Sequence, residues 1–187
     1  MGVDFSKTSF SPDYYYNGQV FTRENYPRQM QASANLALTS GVMLSTAIYL
    51  EAGDVITSLT FRSGSQAAVA PTAWWFALYS TATTPALLAQ TVDQTTTAWA
   101  ANTNMTVNLA SAQTIATTGI HYASIMMAAG TTVNLSGFSM PTGGSANAIV
   151  TGQKILSQTS GSSLTTTAPS TISGVTAVGT RPYVVAR

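Results

Sequence analysis

The densest apolar run of the chain is Trp-Trp-Phe-Ala-Leu-Tyr at residues 74–79, and we take it as the centre of the fold. Before it, residues 55–62 alternate a more apolar set of side chains with a more polar one, which predicts a strand with one better-buried face. In residues 74–79 both alternating sets are bulky, which predicts a central strand or a strand whose outer face meets a partner. We therefore expect the other elements to complete a sheet sandwich over this run.

Shorter apolar runs, separated by turn residues, continue this pattern along the chain. The predicted strands cover residues 45–50, 55–62, 74–79, 87–92, 105–109, 120–127 and 133–135, and residues 182–185 supply a closing strand. Many short strands at a spacing of roughly 8–12 residues predict an all-β fold. We predict one antiparallel β-sandwich, of jelly-roll type, over residues 36–187. Its core is expected to contain Leu50, Ile56 or its alternating neighbours, Leu59, Phe61, Trp74 or Trp75, Phe76, Leu78, Val107, Leu109, Tyr122 and Ile125.

Two regions depart from this strand pattern. Residues 157–174 are rich in Ser, Thr and Gly, a composition typical of a linker or a long exposed loop. Residues 1–35 are predicted to form an extended N-terminal arm, because Pro12, Gly18 and Pro27 interrupt any helical or strand period. The sandwich would then begin at residue 36, include the polar loop, and end with the closing strand.

The arm concentrates aromatic and charged side chains. Up to Arg28 it holds seven of the seventeen aromatic residues and six of the thirteen charged ones. Because Tyr and Phe are enriched in the cores of protein interfaces, we predict that the arm lies on another subunit, with packing on its own domain as the alternative. The residues expected to bind a partner are Phe10, Tyr14, Tyr15, Tyr16, Phe21, Arg23, Tyr26 and Arg28. A homotrimer is the expected assembly.

Composition narrows the choice of partners. Charged residues make up only 7% of the chain, the net charge is +1, and 45% of the residues are hydrophobic. Nucleic-acid binding needs clustered Lys and Arg, so no nucleic-acid partner is expected. Residues 94–153, between Asp93 and Lys154, contain no charge, but they are crowded with Thr, Asn and Ser, so no membrane contact is expected either.

The candidate chemistry is sparse, and an enzyme is not expected. His121 is the single histidine and falls in a predicted strand, where we expect a half-buried structural role. Glu51 and Asp54 lie at a turn, where acidic residues are ordinary. The chain lacks cysteine and has no nucleophile elbow or phosphate-binding glycine motif. We therefore assign no catalytic, cofactor or metal residues, and no cofactor.

Tryptophan offers the one candidate for small-ligand binding. Aromatic faces stack on sugar rings, so Trp75 and Trp99 are possible glycan contacts, while core packing is the alternative for both. Trp74 and its neighbour Trp75 must point to opposite faces of a strand. One of the two can therefore face a partner or a glycan.

Several motifs together carry a family resemblance. They are Ala-Gly-Asp-Val-Ile-Thr-Ser-Leu-Thr-Phe at residues 52–61, Trp-Phe-Ala-Leu-Tyr at 75–79, Thr-Ala-Trp-Ala-Ala-Asn-Thr at 97–103 and Gly-Ile-His-Tyr at 119–122. The stretch from about residue 44 to 129 resembles the β-sandwich domain of virion proteins from phages that infect actinobacteria, and Pro182-Tyr183 resembles the closing strand of that domain.

The resemblance implies a structural protein at the surface of the phage particle that contacts capsid or tail subunits. The first expectation is a capsid decoration or accessory protein attached through its arm. The alternative is a minor tail or fibre protein that binds a host-surface glycan. The resemblance carries no catalytic residues.

Overall fold

The structure is a computed structural model that describes residues 22–30, 32–139 and 150–187. Its regular elements are strands, joined by turns and by one short 3-10 helix at Arg28–Met30. In chain order the strands are β1 (Arg23–Glu24), β2 (Ala32–Ala37), β3 (Met43–Leu50), β4 (Val55–Arg62), β5 (Val69–Tyr79), β6 (Leu87–Gln90), β7 (Asn104–Thr114), β8 (Gly119–Thr131), β9 (Asn134–Ser139), β10 (Ser157–Ser160), β11 (Thr176–Ala177), β12 (Thr180–Pro182) and β13 (Val184–Ala186).

The strands form three antiparallel sheets that pack against each other, which confirms the predicted all-β sandwich. A six-stranded sheet has the order β11-β10-β3-β8-β5-β6, a four-stranded sheet has the order β1-β13-β4-β7, and a three-stranded sheet has the order β12-β9-β2. Each predicted strand of the sandwich overlaps an observed strand. The jelly-roll topology stays a prediction.

The inner core lies between the six-stranded sheet and the two smaller sheets. Its largest fully buried side chains include four aromatic rings in mutual contact, Phe61, Trp74, Phe76 and Trp99. The remaining apolar residues come from alternate positions of the strands, such as Leu59 in β4, so the period-2 pattern of the sequence produces this core. The predicted core residues are buried or partly buried in the structure, and the prediction is confirmed.

The six-stranded sheet also buries its outer face, meaning the face turned away from the four-stranded sheet. Trp75, Tyr79, Tyr122 and Met126 form a second apolar cluster there, together with Ala168 and Ile172 from residues 161–175. We call residues 161–175 the covering segment. The alternation of bulky side chains in β5 thus reflects a central strand with both faces buried.

Two boundaries in the structure differ from those predicted from the sequence. Within the predicted loop at residues 157–174, the first four residues form β10, which pairs with β3. The rest of that loop is irregular and mostly exposed, as predicted, but it buries Ala168 and Ile172 on the outer face of the six-stranded sheet. The arm does not extend to residue 35 as a separate element, because β1 pairs with β13 and β2 pairs with β9 inside the sandwich. Residues 1–21 of the predicted arm lie outside the described residues.

No helix in the described ranges has the length and apolar character needed to cross a membrane.

Candidate functional site at the root of the N-terminal segment

Residues 22–30, which we call the N-terminal segment, lie along the edge of the four-stranded sheet. Arg23 pairs with Ala186 and Glu24 with Val185, so this short strand extends the sheet beyond β13. Two paired residues are too few to hold a strand by backbone hydrogen bonds alone. The segment therefore depends on the side-chain contacts that follow.

Asn25 supplies a buried polar clamp. Its backbone N–H donates to the Val184 carbonyl at 3.2 Å, and its Oδ1 accepts from the Val184 N–H at 3.1 Å. Its Nδ2 donates to the Pro182 carbonyl at 2.8 Å and to Thr46 Oγ1 at 3.2 Å. Because its amide is bonded on both sides and only 9% exposed, an apolar replacement would leave several buried groups unpaired.

Arg23 forms the main ion pair of the site. Its Nε donates to Asp54 Oδ2 and its terminal nitrogen to Asp54 Oδ1, both at 2.8 Å, and a third bond reaches Glu51 Oε2 at 3.0 Å. The side chains of Arg23 and Asp54 are only 13% and 7% exposed. A bidentate pair with little solvent contact fixes geometry, and removal of either partner leaves a poorly solvated charge.

Tyr26 packs against two aromatic rings, one from β9 and one from the residue between β12 and β13. Its ring meets Phe138 edge-on at a centroid distance of 4.8 Å and Tyr183 at 5.5 Å. The Arg181 guanidinium lies 5.6 Å from the centre of the same ring. Burial raises the pKa of the Tyr26 phenol, and the nearby Arg181 only partly offsets that effect.

Arg181 connects the segment to the six-stranded sheet. One terminal nitrogen donates to the Asn25 carbonyl at 3.0 Å and to the Ala47 carbonyl at 3.1 Å. Burial lowers the pKa of its guanidinium, opposed by the neighbouring Tyr26. The backbone approach that brings Arg181 here requires glycine at position 137, because a Cβ there would lie 2.6 Å from Leu36 Cδ1 and 2.8 Å from Pro182 Cα.

An open cavity of about 330 Å³ lies beside the segment on the outer face of the four-stranded sheet. Thr22, Glu24 and Arg28 line it from the segment, and Arg62, Asn104 and Tyr183 line it from the sheet. Arg62 donates to Asn104 Oδ1 at 3.1 Å. Burial, followed by the nearby Glu24, raises the pKa of Tyr183, so its phenol stays protonated beside the carboxylate.

The structure contains three of the eight residues predicted to bind a partner through the arm. Phe10, Tyr14, Tyr15, Tyr16 and Phe21 lie outside the described residues. Arg23 and Tyr26 contact their own sandwich through the ion pair and the ring contacts described above, and their contact with another subunit stays a prediction. Arg28 is exposed and lines the cavity, so its role at a partner interface stays a prediction.

The glycan contacts predicted at Trp75 and Trp99 are contradicted by burial. Both side chains are 0% exposed, so neither presents a ring face to a sugar. Trp75 lies in the outer cluster and donates through Nε1 to the Thr165 carbonyl at 2.7 Å. Trp99 lies in the inner core, 5.4 Å from Trp74 between ring centres.

The other candidate residues have structural surroundings. His121 is 3% exposed, and its Nδ1 lies 3.1 Å from the Gly119 carbonyl. It is more deeply buried than the half-buried residue the sequence predicts. Burial lowers its pKa, against the opposing effects of the Gly119 hydrogen bond and of Asp54. Within the described ranges no three His, Cys, Asp or Glu side chains come together in a group able to hold a metal ion.

Sequence reasoning missed three residues that build the site: Asn25, Gly137 and Arg181. The available signal was the scarcity of charge. The chain has only thirteen charged residues, and one of them, Arg181, stands next to the apolar closing strand. A buried arginine needs hydrogen-bond acceptors, so the position of Arg181 in the sequence indicated a polar contact there. Asn25 and Gly137 carried no comparable signal.

The arrangement is suited to holding a chain segment in one register, through an ion pair, a satisfied amide and an aromatic pocket. Comparison of the chain with protein-family models and with curated proteins finds no match.

Proposed function

We propose that this chain is a non-enzymatic structural component of a phage virion, a decoration or accessory protein at the capsid surface, attached through the part of the chain before residue 22. The resemblance described under the sequence suggests the virion setting. The root of the N-terminal segment suggests the mode of attachment.

The observation that carries the proposal is the distribution of charge. The described ranges hold ten charged side chains, and seven of them lie at the root of the N-terminal segment. These seven are Arg23, Glu24, Arg28, Glu51, Asp54, Arg62 and Arg181. The strands elsewhere present mainly Thr, Ser, Asn and Ala to the surface. Because interface cores are depleted of charge, such a surface suits packing against neighbouring protein subunits.

Because the root is firmly held, residues 1–21 can serve as an attachment that carries load to the sandwich. If residues 1–21 bind a neighbouring subunit of the virion through their aromatic side chains, the force on that contact is transmitted to β13 through Arg23, Asn25 and Tyr26. The ion pair and the buried clamp resist displacement of the segment along the sheet edge. The sandwich would then add a broad, weak polar contact to other copies, with a homotrimer as the assembly.

The tail or fibre alternative has less support. It depends on glycan binding by the sandwich, and the two tryptophans predicted for that role are buried. We therefore retain it only as an outcome that the following measurement can reveal.

The first experiment counts the copies of this chain per virion by quantitative mass spectrometry of purified particles. The proposal expects hundreds of copies. A handful of copies, in multiples of three or six, would instead assign the chain to the tail, and absence from purified virions would refute any virion role.

The second experiment tests attachment by adding purified chain to particles that lack it. We expect the triple substitution of Tyr14, Tyr15 and Tyr16 by Ser to reduce loading and resistance to salt washing. The matched control is Tyr49→Ser, because Tyr49 is a tyrosine of the sandwich with half of its surface exposed. Equal loading by the triple variant and the control would contradict attachment through these residues.

A further inference from the structure

The contacts that hold the N-terminal segment, made by Arg23, Asn25 and Tyr26, do not fill the cavity beside it. It is about 330 Å³ in volume, which is space for roughly ten water molecules, and its walls are both polar and apolar. The Thr22 hydroxyl at its rim is buried and has no hydrogen-bond partner among the described residues. A buried hydroxyl of that kind marks a place where a further polar group is expected.

Strand register defines the direction in which the N-terminal segment runs along the edge of the four-stranded sheet. Along β1, Arg23 lies opposite Ala186 and Glu24 opposite Val185, and these two in turn lie opposite Leu59 and Thr60 of β4. The segment therefore runs, from residue 23 onward, toward the end of the sheet where Arg62 faces Asn104.

The charges of the cavity and of residues 1–21 are complementary. The cavity contains Arg28 and Arg62 against Glu24, a net charge of +1. Residues 1–21 contain Asp4 and Asp13 against Lys7, a net charge of −1, together with six aromatic side chains. A carboxylate could pair with the two guanidinium groups of the cavity, and an adjacent aromatic ring could pack on its apolar wall.

We propose that this cavity is the docking site for residues 1–21 of a second copy of this chain. The Asp13–Tyr16 stretch fits it best, because it places one carboxylate directly before three tyrosines. The contact joins two different surfaces of the molecule, so it is head-to-tail. Head-to-tail contacts generate a closed ring when the rotation between copies permits, and a homotrimer is such a ring.

This inference rests on the proposed function and names the surface that residues 1–21 bind. Its test does not require virions. Self-association of the purified full-length chain is measured by sedimentation equilibrium over a range of protein concentrations. We expect Arg62→Glu to weaken association at least about tenfold, because it reverses the charge of the cavity. The control is Lys154→Glu, the same change of charge at a cation outside this cavity, and it should leave association unchanged.

A mixing experiment separates docking between copies from docking within one chain. The triple substitution of Tyr14, Tyr15 and Tyr16 by Ser disables the arm without touching a described residue, and it should weaken association as Arg62→Glu does. A mixture of the two variants contains one intact arm and one intact cavity. The mixture should therefore associate more strongly than either variant alone.

Three outcomes would overturn the inference: a full-length chain that is monomeric at all concentrations, association that survives both variants, or a mixture no stronger than its components. The last would indicate that each arm folds back onto its own cavity. Failure to load on particles together with Arg62-dependent association would refute the proposed virion role and leave this inference standing.

Discussion

The two faces of the six-stranded sheet are both buried, but they are covered in different ways. The inner face meets regular strands whose apolar side chains interdigitate, including Leu59 and Phe61 of β4. The outer face meets the covering segment, residues 161–175, which contributes few apolar side chains and forms no strand. The six-stranded sheet therefore contributes to two cores: an inner one built from the side chains of strands on both sides, and an outer one closed by an irregular segment.

Hydrogen bonds from aromatic side chains hold the covering on the outer face. Trp75 Nε1 donates to the Thr165 carbonyl at 2.7 Å, and the Tyr79 hydroxyl donates to the Pro169 carbonyl at 2.8 Å. The side chain of Gln90 adds two bonds, since its Oε1 accepts from the Ala168 N–H at 2.6 Å and its Nε2 donates to the Thr166 carbonyl at 3.2 Å. Backbone carbonyls in an irregular segment have no strand partner, and these side chains donate hydrogen bonds to them.

This difference explains how a Ser/Thr/Gly-rich segment can belong to a core. The apolar bodies of Trp75 and Tyr79 fill the space above the sheet, while their polar tips bind backbone groups that every residue has. The covering is therefore specified mainly by the sheet below it. The inner core also has a bond of this kind, from Trp74 Nε1 to the Thr97 carbonyl at 3.0 Å, but it depends mainly on shape and apolar area. The outer core depends more on directed hydrogen bonds, which Trp75, Tyr79 and Gln90 supply.

The largest expected effect comes from the inner face. Trp74→Ala should lower the free energy of unfolding by about 3–5 kcal/mol, because it opens a cavity beside Phe76 and Trp99 that rigid strands cannot fill. Urea denaturation followed by far-ultraviolet circular dichroism measures the loss. Val92→Ala, at a side chain that is 67% exposed, is the control and should change stability by less than about 0.5 kcal/mol. Similar effects of the two substitutions would contradict the assigned inner core.

A smaller effect, concentrated in the covering segment, is expected on the outer face. Tyr79→Phe keeps the ring but removes the hydroxyl that donates to the Pro169 carbonyl, which should cost about 1 kcal/mol by leaving a partly buried carbonyl unpaired. Hydrogen exchange should accelerate most in residues 161–175, since that is where the bond is lost.

The control for this variant is Tyr49→Phe, at a half-exposed tyrosine of β3 in the same six-stranded sheet. If both variants leave exchange in the covering segment unchanged, then the hydroxyl does not hold the covering, and the contrast between the faces is wrong.

The inner face was predictable from the sequence because period-2 alternation directly encodes which side of a strand is buried. The double burial of residues 74–79 was also visible, since both alternating sets are bulky. The covering was not predictable, because its hydrogen bonds use backbone carbonyls and join residues ninety positions apart, as for Tyr79 and Pro169. Composition alone suggested an exposed loop.

The root of the N-terminal segment was predictable only in part. The concentration of aromatic and charged residues before Arg28 pointed to a contact surface, but not to which chain provides the partner. The pairing of Arg23 with Asp54 depends on the path of β1, a strand of two residues that no periodicity reveals. The bonds of Asn25 depend on the same path.

Tyrosines on the outer face should also make the free energy of unfolding depend on pH above the pKa of an unfolded tyrosine. Burial raises the pKa of Tyr79 and raises that of Tyr122 to about 12, while an unfolded tyrosine titrates near 10.0. Folded-state pKa values above the unfolded value mean that this stability is complete below pH 10.0 and disappears as the pH rises through the folded values.

Unfolding free energies measured at increasing pH, with phenolate absorbance as a second signal, test this expectation. Tyr122→Phe should reduce the alkaline loss, although it also removes the bond from the Tyr122 hydroxyl to the Ile155 carbonyl. The slope of stability against pH above 10.0 is therefore the quantity to compare, since the lost bond shifts stability at every pH. Equal slopes in the two proteins would contradict titration at the outer face.

The smallest expected effect is at low pH and comes from β8 at the end of the inner core. His121 follows Gly119 and lies opposite Ile48, and burial lowers its pKa below the usual 6.5. The unfolded state therefore binds the proton more readily, so unfolding becomes easier as the pH falls through 6.5 toward the folded value. The hydrogen bond with the Gly119 carbonyl and the charge of Asp54 oppose this lowering of the pKa, and the charge of Lys154 reinforces it.

His121→Gln keeps a polar side chain at this position but removes its titration. We expect the variant to lose less stability than the original chain between neutral and mildly acidic pH, whatever its stability at neutral pH. Urea denaturation of both proteins at matched pH values gives the two slopes. A slope identical to that of the original chain would show that the titration of His121 does not contribute to the loss of stability in acid.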